Sequence, residues 1–76
     1  MKSVKIQLAN IAEVKEFVTI ANGYPFRINL LTEHYKIDAK SIMGVFSLDL
    51  THPITLETDT NQAEDFLSRI QPFIAP

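Results

Sequence analysis

Residues 40–50 read Lys-Ser-Ile-Met-Gly-Val-Phe-Ser-Leu-Asp-Leu, and no other stretch of the sequence is as informative about the fold. Ser41 can cap a helix through its hydroxyl, so the stretch predicts a short helix that runs through Leu48. Gly44 weakens this helix by about 1 kcal/mol relative to alanine. A helix of this length buries a single stripe, so its branched and aromatic residues cannot all face the core. These residues are Ile42, Val45, Phe46 and Leu48.

Outward from this helix, apolar and polar residues alternate in four segments, which is the period of a strand with one buried face. The segments are residues 4–8, 26–30, 35–39 and 54–58. The polar run Thr32-Glu33-His34 suits a hairpin connection between the second and third strands. Residues 51–53 connect the short helix to the fourth strand.

A longer helix is predicted between the first two strands. Apolar residues at positions 11, 14, 17, 18 and 21 recur with helical spacing. Asn10 suits the N-cap, and Glu13 three residues later makes a pair of the capping-box type. Gly23 and Pro25 then stop the helix.

A last helix is predicted from the apolar residues at positions 63, 66, 67 and 70. Asp59 or Thr60 is expected to open it. Pro72 is expected to end or kink it, which leaves residues 73–76 as a short tail.

The predicted order of elements is β-α-β-β-α-β-α. Helices that cover the apolar face of a sheet make a two-layer sandwich, so we expect an α+β fold. The chain has 76 residues and no repeat, low-complexity segment or linker, so residues 1–76 are expected to form one domain.

Composition argues against several classes of protein. The net charge of −2 provides no basic surface of the kind that nucleic-acid binders use. The chain has no cysteine, which removes disulfides and thiolate metal sites and fits a reducing compartment. Its apolar runs are too short for a membrane span, and residues 1–5 contain no apolar signal core. We therefore expect a cytoplasmic protein that binds neither nucleic acid nor membrane.

The string Lys-Ser-Ile-Met-Gly-Val at residues 40–45 resembles the regulatory helix of the HPr family. HPr proteins are the small phosphocarriers of the bacterial phosphoenolpyruvate-dependent sugar phosphotransferase system. The length and element order of the chain are also similar to those of the family, although the resemblance is sharp only between residues 38 and 50. It implies an open-faced sandwich with an antiparallel sheet in strand order 1-4-2-3 and three helices on one face.

The second family motif, Gly-[Ile or Leu]-His-Ala-Arg-Pro, is missing from its expected place at the start of the first helix. Counting back from Lys40 without gaps puts the phosphoacceptor histidine on Asn10, the arginine on Ala12 and the proline on Glu13. Asparagine has no ring nitrogen that can carry phosphate, and Glu13 places a negative charge close by. In this respect the chain resembles the catabolite-repression paralogue of HPr. The resemblance therefore implies a substrate and partner of kinases, with no catalytic residue of its own.

The resemblance implies regulatory phosphorylation of Ser41, with Lys40 able to pair with the phosphate. A purely structural role for Ser41 as a helix N-cap is the alternative, and the two are compatible. The resemblance also implies partner binding through Lys40, Ile42, Met43 and Phe46, of which Met43 is the best candidate for exposure. The implied partners are a serine kinase/phosphorylase, a transcriptional regulator or other phosphotransferase-system proteins.

Two other functions stay open. The chain could be a working phosphocarrier that uses a displaced histidine, His52, since histidine suits proton and phosphoryl transfer. It could also be a binding module on this fold that is never phosphorylated. His34 and His52 have no third ligand at a recognisable spacing, so we expect neither a metal site nor a cofactor. The acidic residues Asp59, Glu64 and Asp65 are interpreted as structural, because acids near a helix start complement its dipole.

Overall fold

Within residues 2–75, which the computed structural model describes, four strands and three helices follow one another in the predicted order. The strands are β1 (Lys2–Ile6), β2 (Ile28–Leu31), β3 (Lys36–Asp38) and β4 (Ile54–Thr58). The helices are α1 (Ile11–Asn22), α2 (Ile42–Phe46) and α3 (Glu64–Arg69), and a 3-10 turn follows at Gln71–Phe73. None of the helices in this part of the chain is long and apolar enough to cross a membrane.

The strands form an antiparallel sheet in the order β1-β4-β2-β3, which confirms the order implied by the resemblance. β4 lies inside the sheet, so Leu56 has Val4 on one side and Leu30 on the other. The hairpin between β2 and β3 is where the polar run 32–34 predicts it, and the Thr32 N–H donates to the carbonyl of Tyr35 across 2.9 Å.

Strand alternation gives the sheet one buried face and one open face. On the buried face, the side chains of the inner strands have almost no exposure, and Val4 and Ile37 on the two edge strands are half-buried. Asn29, Thr55 and Glu57 lie on the other face and are half-buried. The helices contribute the other half of the core, in which the ring centroids of Phe17 and Phe66 are 6.5 Å apart. The main buried strand residues are Ile6, Ile28, Leu30, Ile54 and Leu56. This arrangement confirms the α+β two-layer sandwich.

Helix α1 buries the predicted stripe from its second turn onward. Val14, Phe17, Val18 and Ala21 are buried, and the helix ends just before Gly23, as predicted. Ile11 is the exception, since 62 % of it is exposed. Its inclusion in the buried stripe was wrong, because the helix starts to contact the core only at Val14.

The predicted start of the last helix was also wrong. α3 begins at Glu64, and Ala63 occupies the N-cap position without a side-chain hydrogen bond. Asp59 instead caps the loop before β2, because its carboxylate accepts a hydrogen bond from the Arg27 N–H across 3.2 Å. The two acids of the first turn, Glu64 and Asp65, fit the expected complement to the helix dipole.

Residues 73–75 do not form a loose tail. Phe73 is buried, and its carbonyl accepts a hydrogen bond from the Gln7 N–H across 2.7 Å. The Ala75 N–H donates to the Lys5 carbonyl across 2.8 Å, and Ile74 forms an antiparallel bridge with Ile6. The segment therefore covers the outer edge of β1 at its end, where unpaired backbone groups would otherwise be exposed. Pro76, the last residue of the predicted tail, lies outside the described residues.

Candidate functional site

Helix α2 begins at the predicted cap but is shorter than predicted. The Ser41 Oγ accepts a hydrogen bond from the Gly44 N–H across 3.1 Å. The helix ends at Phe46 because Ser47 acts as its C-cap, with its N–H and its hydroxyl both bonded to the Gly44 carbonyl. Leu48 lies beyond the helix but is buried as part of the core.

Gly44 sits at a close approach between α2 and strand β3. A Cβ atom at this position would lie 2.8 Å from the Ile37 Cγ2 and 3.2 Å from the Ser41 Oγ. A separation under 3.0 Å cannot be accommodated unless the Ile37 side chain or one of the two elements shifts, and the Ile37 Cγ2 is a branch methyl attached to a stiff Cβ. Gly44 therefore does more than lower helix propensity, because it lets α2 start directly against the sheet.

Lys40 holds the start of α2 against the end of α1. Its ammonium donates to the Tyr24 carbonyl across 2.6 Å, and its own carbonyl accepts from the Asn22 side chain across 3.1 Å. Its N–H donates to the Asp38 carboxylate across 2.9 Å. In the unmodified chain, Lys40 is therefore half-buried and directed toward Tyr24, whereas the hydroxyl-bearing Ser41 beside it is exposed.

Three apolar side chains of α2 face solvent and form what we call the α2 surface: Ile42, Met43 and Phe46. Met43 is 77 % exposed, in agreement with its prediction as the most accessible residue, and Ile42 and Phe46 are 37 % and 38 % exposed. Val45 is fully buried and supplies the packing stripe of the helix. The single-stripe argument therefore holds, and the helix presents an apolar surface next to Ser41.

The start of α1 uses the same kind of cap. The Asn10 Oδ1 accepts from the Glu13 N–H across 2.9 Å, as the sequence predicts. The Glu13 carboxylate accepts in return from the Ala9 N–H across 2.8 Å, one residue earlier than in a regular capping box. Asn10 and Ala12 are exposed, and Glu13 is the acidic residue of this first turn.

His34 and His52 line the same groove, which we call the histidine groove and whose volume is about 690 Å³. The hairpin residues 32–35 form one wall, and residues 47–49 with 52–55 form the other. The His52 Nε2 lies 3.9 Å from the Asp49 Oδ2. No residue of α1 lines the groove, so His52 is grouped with His34 rather than with Asn10. Between residues 2 and 75, no group of three or more potential ligands could hold a metal ion.

The family model described as "PTS HPr component phosphorylation site" matches residues 9–75. The chain belongs to the HPr family. Proteins of this family are phosphocarriers rather than catalysts, and they interact with other proteins of the phosphotransferase system. No curated protein sequence matches this HPr-family chain.

Solved structures agree with this assignment. HPr-C-His from Thermoanaerobacter tengcongensis is 25 % identical with a TM-score of 0.79, over 95 % of this chain and 89 % of that one. The phosphocarrier protein HPr from Bacillus anthracis is 29 % identical with a TM-score of 0.76, over 97 % of this chain and 94 % of that one. The catabolite repression protein Crh of Bacillus subtilis is 25 % identical with a TM-score of 0.65, over 96 % of this chain and 90 % of that one.

Three features of this HPr-family chain were not evident from its sequence. The Gly44–Ile37 approach and the Lys40–Tyr24 hydrogen bond join residues on different elements. The histidine groove joins residues that lie 18 positions apart in the chain, His34 and His52. The sequence offered one partial signal, a glycine inside a predicted helix, which is typical of close backbone packing.

Proposed function

We propose that this chain is a regulatory member of the HPr family, one domain in extent, that is phosphorylated on Ser41 and recognised through the α2 surface. One observation carries the proposal: an exposed serine starts α2 and is followed by three exposed apolar side chains. Apolar residues at this density are unusual on a solvated helix unless they meet a partner. The methionine among them suits an adaptable interface.

The proposal also holds that the chain does not carry phosphate at the start of α1. Asn10 stands where the family motif has its histidine, and an amide forms no phosphoramidate. Ala12 supplies no cation at the arginine position, and the Glu13 carboxylate would repel an incoming phosphate. Asn10 caps the helix all the same, so the fold does not depend on the missing acceptor.

The proposed partners follow from family membership and from the likeness to the catabolite repression protein. A serine kinase/phosphorylase would act on Ser41 in the cytoplasm. A transcriptional regulator or another phosphotransferase-system protein would bind the α2 surface in the modified or unmodified state. Phosphate at Ser41 adds about −1.5 to −2 charges beside this apolar surface, so modification changes what the surface binds.

Two reactions test the proposal. The chain is incubated with Enzyme I and phosphoenolpyruvate, and separately with the cognate serine kinase and ATP, and peptide mass spectrometry locates the phosphate. We expect modification of Ser41 in the kinase reaction only. Ser41→Ala should abolish the modification, and the matched control Ser47→Ala, at the other end of α2, should retain it.

The other outcomes identify the competing functions. Phosphate on a histidine in the Enzyme I reaction would contradict the proposal, and its loss in His52→Gln would identify a carrier with a displaced acceptor. Because histidine phosphate hydrolyses in acid, that digest is kept at neutral or alkaline pH. An absence of phosphate in both reactions, with the fold intact by circular dichroism, would favour a binding module.

A further inference from the structure

The histidine groove brings together two chain segments that the proposed function does not use. The hairpin between β2 and β3 supplies Glu33, His34 and Tyr35, and the segment after α2 supplies Asp49 and His52. Its volume of about 690 Å³ is in the range of sites that hold a small ligand, which leaves ample room for a side chain of a partner protein. No residue of the α2 surface lines this groove.

The fixed charges of the groove favour a cation. Two carboxylates, Glu33 and Asp49, line it against a single ammonium, Lys5. Hydrogen bonds from the Thr51 side chain and backbone, 2.6 Å and 3.0 Å long, lower the pKa of Asp49, so its carboxylate stays charged at neutral pH.

Several groups that line the groove have free hydrogen-bonding capacity. The side chains of Lys5, Glu33 and His34 make no hydrogen bond or ion pair with any group in residues 2–75. Tyr35 is 66 % exposed, and its ring meets His34 edge-on at a centroid distance of 6.4 Å. A guest in the groove would therefore find carboxylate and imidazole acceptors beside an open aromatic ring.

We propose that the histidine groove binds an arginine side chain presented by a protein partner. Guanidinium carries five N–H donors in a plane, which suits carboxylate and imidazole acceptors, and it stacks on aromatic rings. A lysine ammonium would gain the charge interaction but no stacking contact. The proposal does not depend on phosphorylation of Ser41, because the groove and the α2 surface share no residue.

The test uses a single amino acid in place of the unidentified partner. N-acetyl-arginine methylamide is titrated into ¹⁵N-labelled protein, and the amide shifts of residues 32–35 and 47–55 are followed by NMR. N-acetyl-citrulline methylamide is the matched probe, because it has nearly the same shape and no charge. We expect saturable shifts at these residues with the arginine probe and much smaller shifts with citrulline.

Variants separate groove binding from general attraction to an acidic protein. Glu33→Gln should weaken arginine binding by up to about fivefold, the upper end of the range for one exposed ion pair. Glu64→Gln removes the same charge from α3, away from the groove, and should leave the affinity unchanged. Lys5→Gln should tighten binding, and Tyr35→Ala should weaken it more than Tyr35→Phe does, since phenylalanine keeps the ring.

Three results would overturn the proposal. Equal shifts with arginine and citrulline would show that charge is not recognised, and equal weakening by Glu33→Gln and Glu64→Gln would show that the groove is not the site. Stronger shifts with inorganic phosphate than with arginine would assign the groove to an anion. Each of these outcomes leaves the proposal for Ser41 untouched, so failure of one is distinguishable from failure of the other.

Discussion

Helices α1 and α2 begin with the same hydrogen bond but carry different chemistry. At each start, a side-chain oxygen accepts from the backbone N–H three residues later, over 2.9 Å at Asn10 and 3.1 Å at Ser41. Asparagine and serine are about equally good caps. Only the serine retains a hydroxyl that a kinase can modify, whereas the asparagine amide accepts no phosphate. Cap geometry is therefore the same whether or not the capping residue can accept phosphate, and an intact fold says nothing about whether an acceptor is present.

The first turns of α1 and α2 also differ in how tightly they pack against the rest of the domain. Ile11, the first residue of α1, is largely exposed, and core packing begins one turn later at Val14. α2 is packed from its first turn, because Gly44 lies against Ile37 and Lys40 is bonded to Tyr24. A substitution that adds bulk at Gly44 should therefore perturb the domain more than one that adds bulk near an end of α1.

The largest effect on stability is expected from Gly44→Ala. The new Cβ would lie 2.8 Å from the Ile37 Cγ2, so the Ile37 side chain, α2 or β3 has to move. Overpacking of this kind costs about 1–3 kcal/mol, more than the gain of up to about 1 kcal/mol from alanine's helix propensity. Urea unfolding followed by circular dichroism measures the difference.

Gly23→Ala is the control for Gly44→Ala. Gly23 has φ of −80°, which alanine adopts freely, and its new Cβ would lie 3.3 Å from the Ile20 carbonyl oxygen. We expect a change of about 0.5 kcal/mol or less, as for most surface substitutions. Equal destabilisation by the two variants would mean that the start of α2 is no more tightly packed than the end of α1.

Removal of the two caps is expected to have a smaller and nearly equal effect. Ser41→Ala and Asn10→Ala should each destabilise the protein by about 1 kcal/mol, since each leaves a helix N–H without its acceptor. Ser41→Asp and Asn10→Asp should restore most of the stability, because aspartate also caps well. The four variants are compared by urea unfolding at neutral pH. A much larger loss for Asn10→Ala would show that Asn10 has a second structural role.

Met43→Glu should change stability least among the substitutions in α2. The side chain is 77 % exposed, so we expect a change within about 0.5 kcal/mol. Partner binding, measured by calorimetry once a partner is in hand, should fall strongly because a charge would enter the α2 surface. Val45→Ala is the contrasting variant, since Val45 is fully buried and its truncation should cost stability. Substantial destabilisation by Met43→Glu would place Met43 in the core.

The sequence correctly predicted the features that depend on interactions between residues close together in the chain. The caps at Asn10 and Ser41, the strand alternation and the exposure of Met43 all depend on neighbours within a few residues. Two of the errors arose where a distant segment intervenes. Residues 73–75 pair with β1 from the far end of the chain, and Asp59 caps the Arg27 N–H rather than α3. The strand order came from the family resemblance, because alternation alone does not say which strands are neighbours.

The smallest predicted effect concerns the end of α1, where Tyr24 links three helices. Its carbonyl accepts from Lys40 before α2, and its hydroxyl donates to the Asp65 carboxylate in α3 across 2.5 Å. The hydrogen bond to Asp65, together with partial burial, raises the pKa of Tyr24 above 10.0. The neutral phenol is thus favoured in the folded state, so this contribution to stability is complete below pH 10.0 and is lost as the pH rises through the raised pKa.

Tyr24→Phe keeps the ring and the carbonyl, so the stability difference between wild type and variant should shrink as the solution becomes alkaline. If the difference is instead the same at neutral and alkaline pH, the hydrogen bond between Tyr24 and Asp65 does not stabilise the contact between α1 and α3.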